Sequence, residues 1–399
     1  MITPRTIARF LVGKRDAIEQ IASSRSAFFL AALFIVSAGL ARNYDHHILV
    51  REPLWIFGPF AMTFFSSFFI FGFVKSLGGL NRGALKSLPT PSSNYFPFLR
   101  CFAMTAPLAW LYGIPVEQLT TALVATQFNF AVLLIVSFWR LILMMRVIIV
   151  LFNFNPLRAF CLISIPASFE MFFATFIKSV SIVGIMGGMK LTTAESFLYK
   201  ATQAVTAGSL FLFIAACLLI FFSKRGEIRK HPPVENTPKV SRPTWIVAVT
   251  TIALWLVASS QPQKRLRNLA KFQNLIKERQ YQEAQAFTGS INNTDFPPHR
   301  RLFGKTSRYQ VSQAAITLAN HKTWPDWIQK ELEEEVQLWL EDLDEDGYDY
   351  RLDMLRERIQ GAPHVEEFAR KFTPNHDLRY SPAEEPETSP PTKGDDHSQ

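Results

Sequence analysis

Apolar residues come in blocks along this chain, and polar residues separate them. The apolar runs are Ser26–Ala41, Trp55–Val74, Phe102–Ile114, Thr121–Trp139, Leu157–Ile177, Ala204–Phe222 and Thr244–Ser260. Crossing ~30 Å of hydrocarbon takes about 20 helical residues. The second, fourth, fifth and sixth runs meet that length, and the first and last are short but workable. The third is bracketed or interrupted by Pro107 and Pro115, so it reads as a kinked span or a re-entrant segment. The expected fold is all-α: a multi-pass transmembrane helical bundle of six or seven spans, followed by a small helical soluble domain.

The flanking segments complete that division. In residues 1–25, Thr3 can cap a helix and Pro4 suits its first position. Ile7, Phe10, Leu11, Ile18 and Ile21 then fall on or near one face of an amphipathic helix over residues 3–24, expected to lie on the membrane surface. The rival reading is a cleaved signal peptide, against which the basic stretch before Ser26 is unusually long. Residues 26–222 form the bundle, residues 223–243 a proline-bearing polar linker, and residues 244–260 the last span. Residues 261–372 read as the soluble domain, where Leu266, Leu269, Phe272, Ile276, Ala284 and Phe287 recur at helical spacing. A further helix starts near Trp324, with Thr323 as its cap and Pro325 in its first turn. Residues 373–399, rich in Pro, Glu, Ser and Asp, have too little apolar surface to repay ordering.

Charge follows the same boundary. Residues 1–260 carry a net +14 and residues 261–399 a net −5, so the overall +9 belongs to the apolar part. Basic residues flanking spans serve orientation, which argues against nucleic acid as a partner and for the lipid bilayer. They gather at the N-terminus, around Lys75–Arg100, around Arg140–Arg158 and in the linker, and these places share one side if the third run crosses. The expectation is a bacterial inner-membrane protein with a cytoplasmic N-terminus. Seven spans would put the C-terminal domain in the periplasm, although Lys264, Arg265, Arg267 and Lys271 directly after the last run argue for the cytoplasm.

Chemistry-bearing residues are few. Glu170 stands near the middle of the fifth run, four residues after Pro166, with Arg140 and Arg146 at the end of the preceding run as its obvious partners. A carboxylate at that depth either holds helices together or contacts an ion, proton or substrate. Asp342, Asp344, Asp346 and Gly347 match the opening of a calcium-binding loop, but Asp353 stands where a longer Glu closes the cage. The default expectation is therefore an acidic turn at the end of a solvated helix and no cofactor, with calcium as the alternative. The Gly184–Met189 segment lacks the Lys-Ser/Thr of a phosphate loop, and His46 and His47 sit in a polar turn without metal-ligand spacing. Cys101, Cys161 and Cys217 form no disulfide framework, and no hydrolase, metalloprotease or dinucleotide motif occurs.

Two stretches, Gly39-Leu-Ala-Arg-Asn-Tyr-Asp-His-His47 running on to Glu52-Pro-Leu-Trp55, and Asp295-Phe-Pro-Pro-His299 after Glu283-Ala-Gln-Ala-Phe287, together resemble an uncharacterised family of bacterial multi-pass inner-membrane proteins with a short helical C-terminal domain. The resemblance implies no activity. The leading functional expectation is a non-enzymatic membrane scaffold whose C-terminal domain docks a protein partner through Phe296, Trp324, Trp327 and Trp339. The alternative is a small-solute or ion transporter or channel using Glu170. The oligomeric state stays open, a homo-oligomer included.

Overall fold

A computed structural model describes residues 1–44, 48–51, 54–77, 92–183, 193–223, 238–298 and 324–340. Its elements are α1 (Pro4–Leu11), α2 (Arg15–Ser23), α3 (Ser26–Asn43), α4 (Leu54–Leu77), α5 (Ser92–Ala103), a 3₁₀ segment (Ala106–Gly113), α6 (Ala122–Phe152), α7 (Pro156–Val183), α8 (Thr193–Phe222), α9 (Arg242–Lys277), α10 (Tyr281–Gly289) and α11 (Asp326–Leu340). Among the described residues, seven segments are long and apolar enough to cross a membrane, one being the composite Tyr95–Gln118. The fold is a helical, multi-pass membrane bundle.

The third run does traverse the bundle, as a kinked span. Its α-helix ends at Ala103, Pro107 sits near the start of the 3₁₀ segment, and Pro115 follows that segment's end. The far end, Gly113, lies so close to α9 that an added Cβ would stand 2.0 Å from the Trp255 ring. Tyr44, just after α3, donates to the Gly113 carbonyl (3.4 Å), and its ring is 6.0 Å from that of Trp255. In α9, the Gln263 amide donates to the Tyr44 carbonyl (2.8 Å) and accepts from the Leu49 amide (2.9 Å). These contacts define one end of the bundle. The opposite end holds Ile2, bridged to Val240, and Ser24, whose hydroxyl reaches the Pro238 carbonyl. The N-terminus and the C-terminal helices therefore leave the bundle at opposite ends.

Three expectations need correction. First, residues 3–24 are two helices. Thr3 caps α1 through the Thr6 amide (3.2 Å), but Gly13, with φ of 75°, turns the chain before α2. Phe10, Ile18 and Ile21 are fully enclosed in the main core, so this segment is built into the bundle. Second, no break separates the last span from the C-terminal domain. α9 runs on through Pro262 to Lys277, because Leu266, Leu269, Phe272 and Ile276 give its second half a buried face of its own. Third, the linker ends earlier than expected: Val240 and Ser241 already pair with Ile2, while residues 224–237 lie outside the described part.

Burial is uneven along α6. At ~1.5 Å per residue its 31 residues span about 47 Å, more than a hydrocarbon core. From Leu143 to Phe152 most of its side chains are packed among α1, α2, α5 and the start of α7. Earlier in α6, Phe128, Leu133, Leu134, Ile135, Phe138 and Ile142 are exposed, the surface a lipid-facing helix presents.

Candidate intramembrane polar site

Above that packed end, five elements close a ring: α3 packs on α4, α4 on α7, α7 on α6, α6 on the 3₁₀ segment, and that segment back on α3. Each supplies or adjoins a polar side chain that interrupts an apolar stretch. From α7 comes Glu170, half-buried, one turn beyond Pro166. Proline has no N–H for the carbonyl four residues before it, which loosens the helix at this depth. From α4, the Ser66 hydroxyl donates to Glu170 Oε2 (3.0 Å), while Oε1 is buried and unpartnered. A buried acceptor left unpaired costs about 1–3 kcal/mol.

Arg140 of α6 enters the same region but does not form an ion pair with Glu170. Its Nε donates to Thr105 Oγ1 (3.1 Å), and its guanidinium lies 5.3 Å from the centre of the Phe102 ring. Its terminal nitrogens have no acceptor among the described residues. Arg140 nevertheless lies within electrostatic reach of Glu170, of the Tyr112 phenol and of Arg42 from the last turn of α3. Neither Arg42 nor the Tyr112 hydroxyl makes a hydrogen bond to another described residue, and Arg42 is exposed. Two guanidinium groups, a phenol, a serine and one carboxylate thus lie within electrostatic reach of one another or of a shared neighbour, with most of their hydrogen-bonding capacity unspent among the described residues.

Arg146, the other expected partner of Glu170, does something else. It lies about 9 Å further along α6 and on a different face. Its Nε donates to the Gly13 carbonyl (3.4 Å), beyond the end of α1. Trp139 Nε1 donates to the Leu11 carbonyl (2.8 Å), and Arg100 Nη1 to Ala22 of α2 (2.7 Å). Arg158, buried at the start of α7, reaches Leu77 at the end of α4 (2.7 Å) and Ser223 after α8 (3.3 Å). Cations here occupy the negative ends of helices and satisfy their terminal carbonyls.

Two of the aromatic residues expected to anchor a partner turn inward. Phe296 and Trp324 are buried; Phe272 of α9 meets both edge-on, at 6.2 and 6.3 Å, and Trp327 lies 5.0 Å from Phe296. They are this domain's own core, because one short α9 face, α10 and α11 leave only large rings to fill the gap between them. Trp339 falls within α11, and its side chain lies outside the described part. Lys264 pairs with Asp295 (3.0 Å) and Asn268 bonds its carbonyl (3.0 Å), fastening the loop to α9. The Lys264 ammonium and the Asn292 amide hold the partly exposed Asp295 carboxyl below the usual carboxylate range.

Asp342, Asp344, Asp346 and Asp353 lie outside the described residues, as do the Gly184–Met189 segment, His46, His47, Glu52 and His299. Among the described residues no three His, Cys, Asp or Glu side chains cluster to hold a metal. The sequence reading missed Ser66, Thr105, Tyr112 and Arg42. The available signal was their polarity within or beside apolar runs, and for Arg42 a position one turn before the Tyr44 loop. No family model, curated protein or solved structure matches the chain.

Proposed function

We propose that the protein binds a small polar solute or ion in this intramembrane ring and moves it across the membrane unchanged. The observation that carries the reading is the convergence of Arg42, Tyr112, Arg140 and Glu170 from four elements, with donors and an acceptor that the protein itself leaves unbonded. Charged and polar groups inside a bilayer are costly, so such a cluster marks a solute path more readily than a structural tie. A purely structural carboxylate would pair with its nearest arginine, and Glu170 does not. The scaffold alternative loses support because Phe296 and Trp324 are spent inside the C-terminal domain.

In the same reading, the end carrying α1, α2 and Lys239–Arg242 faces the cytoplasm of a bacterial cell, where basic flanks are retained. The C-terminal helices then stand on the periplasmic side of the inner membrane. The test is liposome swelling. Vesicles bearing the protein are challenged with glycerol and with potassium chloride, acetate, phosphate or succinate, and internal pyranine reports proton movement. At least one solute should enter faster than in protein-free vesicles, with Glu170→Gln changing that rate about tenfold or more, the scale of one charged interaction. Identical entry in empty, native and variant vesicles for every solute would sink the reading.

A further inference from the structure

Resting on the solute-site reading, we infer that the ring takes a small oxyanion, a carboxylate or phosphate group gripped between Arg42 and Arg140, with Tyr112 as a third donor and Glu170 as the opposing wall.

The donor count decides the class. Arg140 spends only Nε on the protein, leaving two terminal nitrogens, and Arg42 has all of its N–H groups unspent among the described residues. The Tyr112 hydroxyl adds a donor within electrostatic reach of both. On the acceptor side stands Glu170 Oε1 alone, since Oε2 is held by Ser66. Two cations against one carboxylate leave excess positive charge even with Glu170 ionised. A cation would face two guanidinium groups and find one free oxygen. An oxyanion would meet two planar forks whose paired N–H groups match its geometry and cancel the excess charge.

Position agrees with composition. Thr105 fixes Arg140 at Nε and Phe102 supports its guanidinium face. Arg42 stands in the last turn of α3, two residues before Tyr44, and therefore on the C-terminal-domain side of Arg140. A solute arriving from that side meets Arg42 first.

Arg42 is also the clean variant, because no hydrogen bond within the described protein depends on it. The experiment measures thermal unfolding of the full chain in phosphatidylcholine nanodiscs, read by tryptophan fluorescence. Acetate, succinate or inorganic phosphate is titrated at constant ionic strength against chloride, alongside discs containing phosphatidylglycerol. At least one oxyanion should raise the midpoint saturably, by on the order of 5 °C at saturation. Arg42→Gln should keep the anion-free midpoint and weaken that anion at least tenfold, and Arg140→Lys, which keeps the charge but loses the fork, should weaken it as well.

A response to free anions identifies a solute site; a response only to phosphatidylglycerol supports the same oxyanion chemistry with a lipid headgroup as its source. No response beyond chloride, or a full response in Arg42→Gln, overturns the anion assignment. If glycerol alone crosses in the swelling assay and no oxyanion binds, transport stands and the anion class fails. If an oxyanion binds and nothing crosses, the assignment stands and transport fails.

Discussion

Arginines at the two levels of this bundle behave differently, although the residue type is the same. At the basic end, Arg100, Arg146 and Arg158 each donate to backbone carbonyls at or just past helix C-termini. At the ring, Arg140 gives up one nitrogen and Arg42 none among the described residues. The first group holds the fold and the second leaves its donors unspent. A cation in a membrane protein is therefore best judged by its hydrogen-bond ledger, since its presence near a span serves orientation and capping as readily as ligand binding.

The contrast breaks first where structure depends on it. Replacing Arg158 with Ala removes the donors that tie the ends of α4 and α8 and leaves their carbonyls short of partners. Chemical unfolding in detergent should register a loss of about 3 kcal/mol or more, the range for charged hydrogen bonds to buried groups. A loss under 1 kcal/mol would mean that capping by arginine does not hold this end together.

Next in size is Gly113→Ala. The added methyl has rigid indole carbons in its way, so overpacking should cost about 1–3 kcal/mol. A second change, Trp255→Leu, should recover part of that cost. Absence of rescue would speak against the contact that places Gly113 beside α9, and with it the crossing of Tyr95–Gln118.

At the ring the sign reverses. Glu170→Gln removes a charge that Oε1 leaves uncompensated while a donor remains for Ser66 to meet by rotation, so stability should stay level or rise by about 1 kcal/mol. Stability gained where transport is altered is the mark of a site held at a structural cost. A destabilisation of several kcal/mol would instead make Glu170 a structural tie. Arg42→Gln should change stability by less than about 0.5 kcal/mol, as at any exposed position without partners.

Legibility from sequence follows the same divide. Spans were readable because bilayer thickness sets a length that a one-dimensional pattern must satisfy, and even the third run declared its kink through Pro107 and Pro115. Glu170 stood out for the same reason, as an acid in an apolar run. Its surroundings did not, because which face of α6 carries Arg140 toward α7, and which turn of α4 brings Ser66 to the carboxylate, depend on helix rotation within the bundle. Arg146 looked equivalent to Arg140 and lies on another face. Gly13 splits residues 3–24 through a single positive φ, a short signal beside a long amphipathic pattern. The division at Ser260 failed for a different reason: composition changes there, but the α-helix ladder has no need to stop where lipid does. In the C-terminal domain, Trp324 and Phe296 look alike as surface anchors or as core, and only packing against Phe272 separates the two.

The smallest expected effect concerns pH. Bonding lowers the folded-state pKa of Asp295, so its contribution is complete above the ordinary carboxylate range of about 4 and is lost as pH falls through the lowered value. Fluorescence of Trp324 and Trp327 should report loosening of the loop below about pH 4, and Asp295→Asn should remove that step. A step unchanged in the variant would assign it to other carboxylates.

Reactivity at Tyr112 tests the account most directly. With the native cysteines replaced, a single Tyr112→Cys in sealed proteoliposomes is exposed to an impermeant methanethiosulfonate reagent from each side in turn. A solute site must be reached by water, so modification is expected from the side of the C-terminal helices, slowed by whichever solute enters in the swelling assay. A cysteine inert from both sides would mean that Arg42, Tyr112, Arg140 and Glu170 are sealed within the bundle and carry nothing across it.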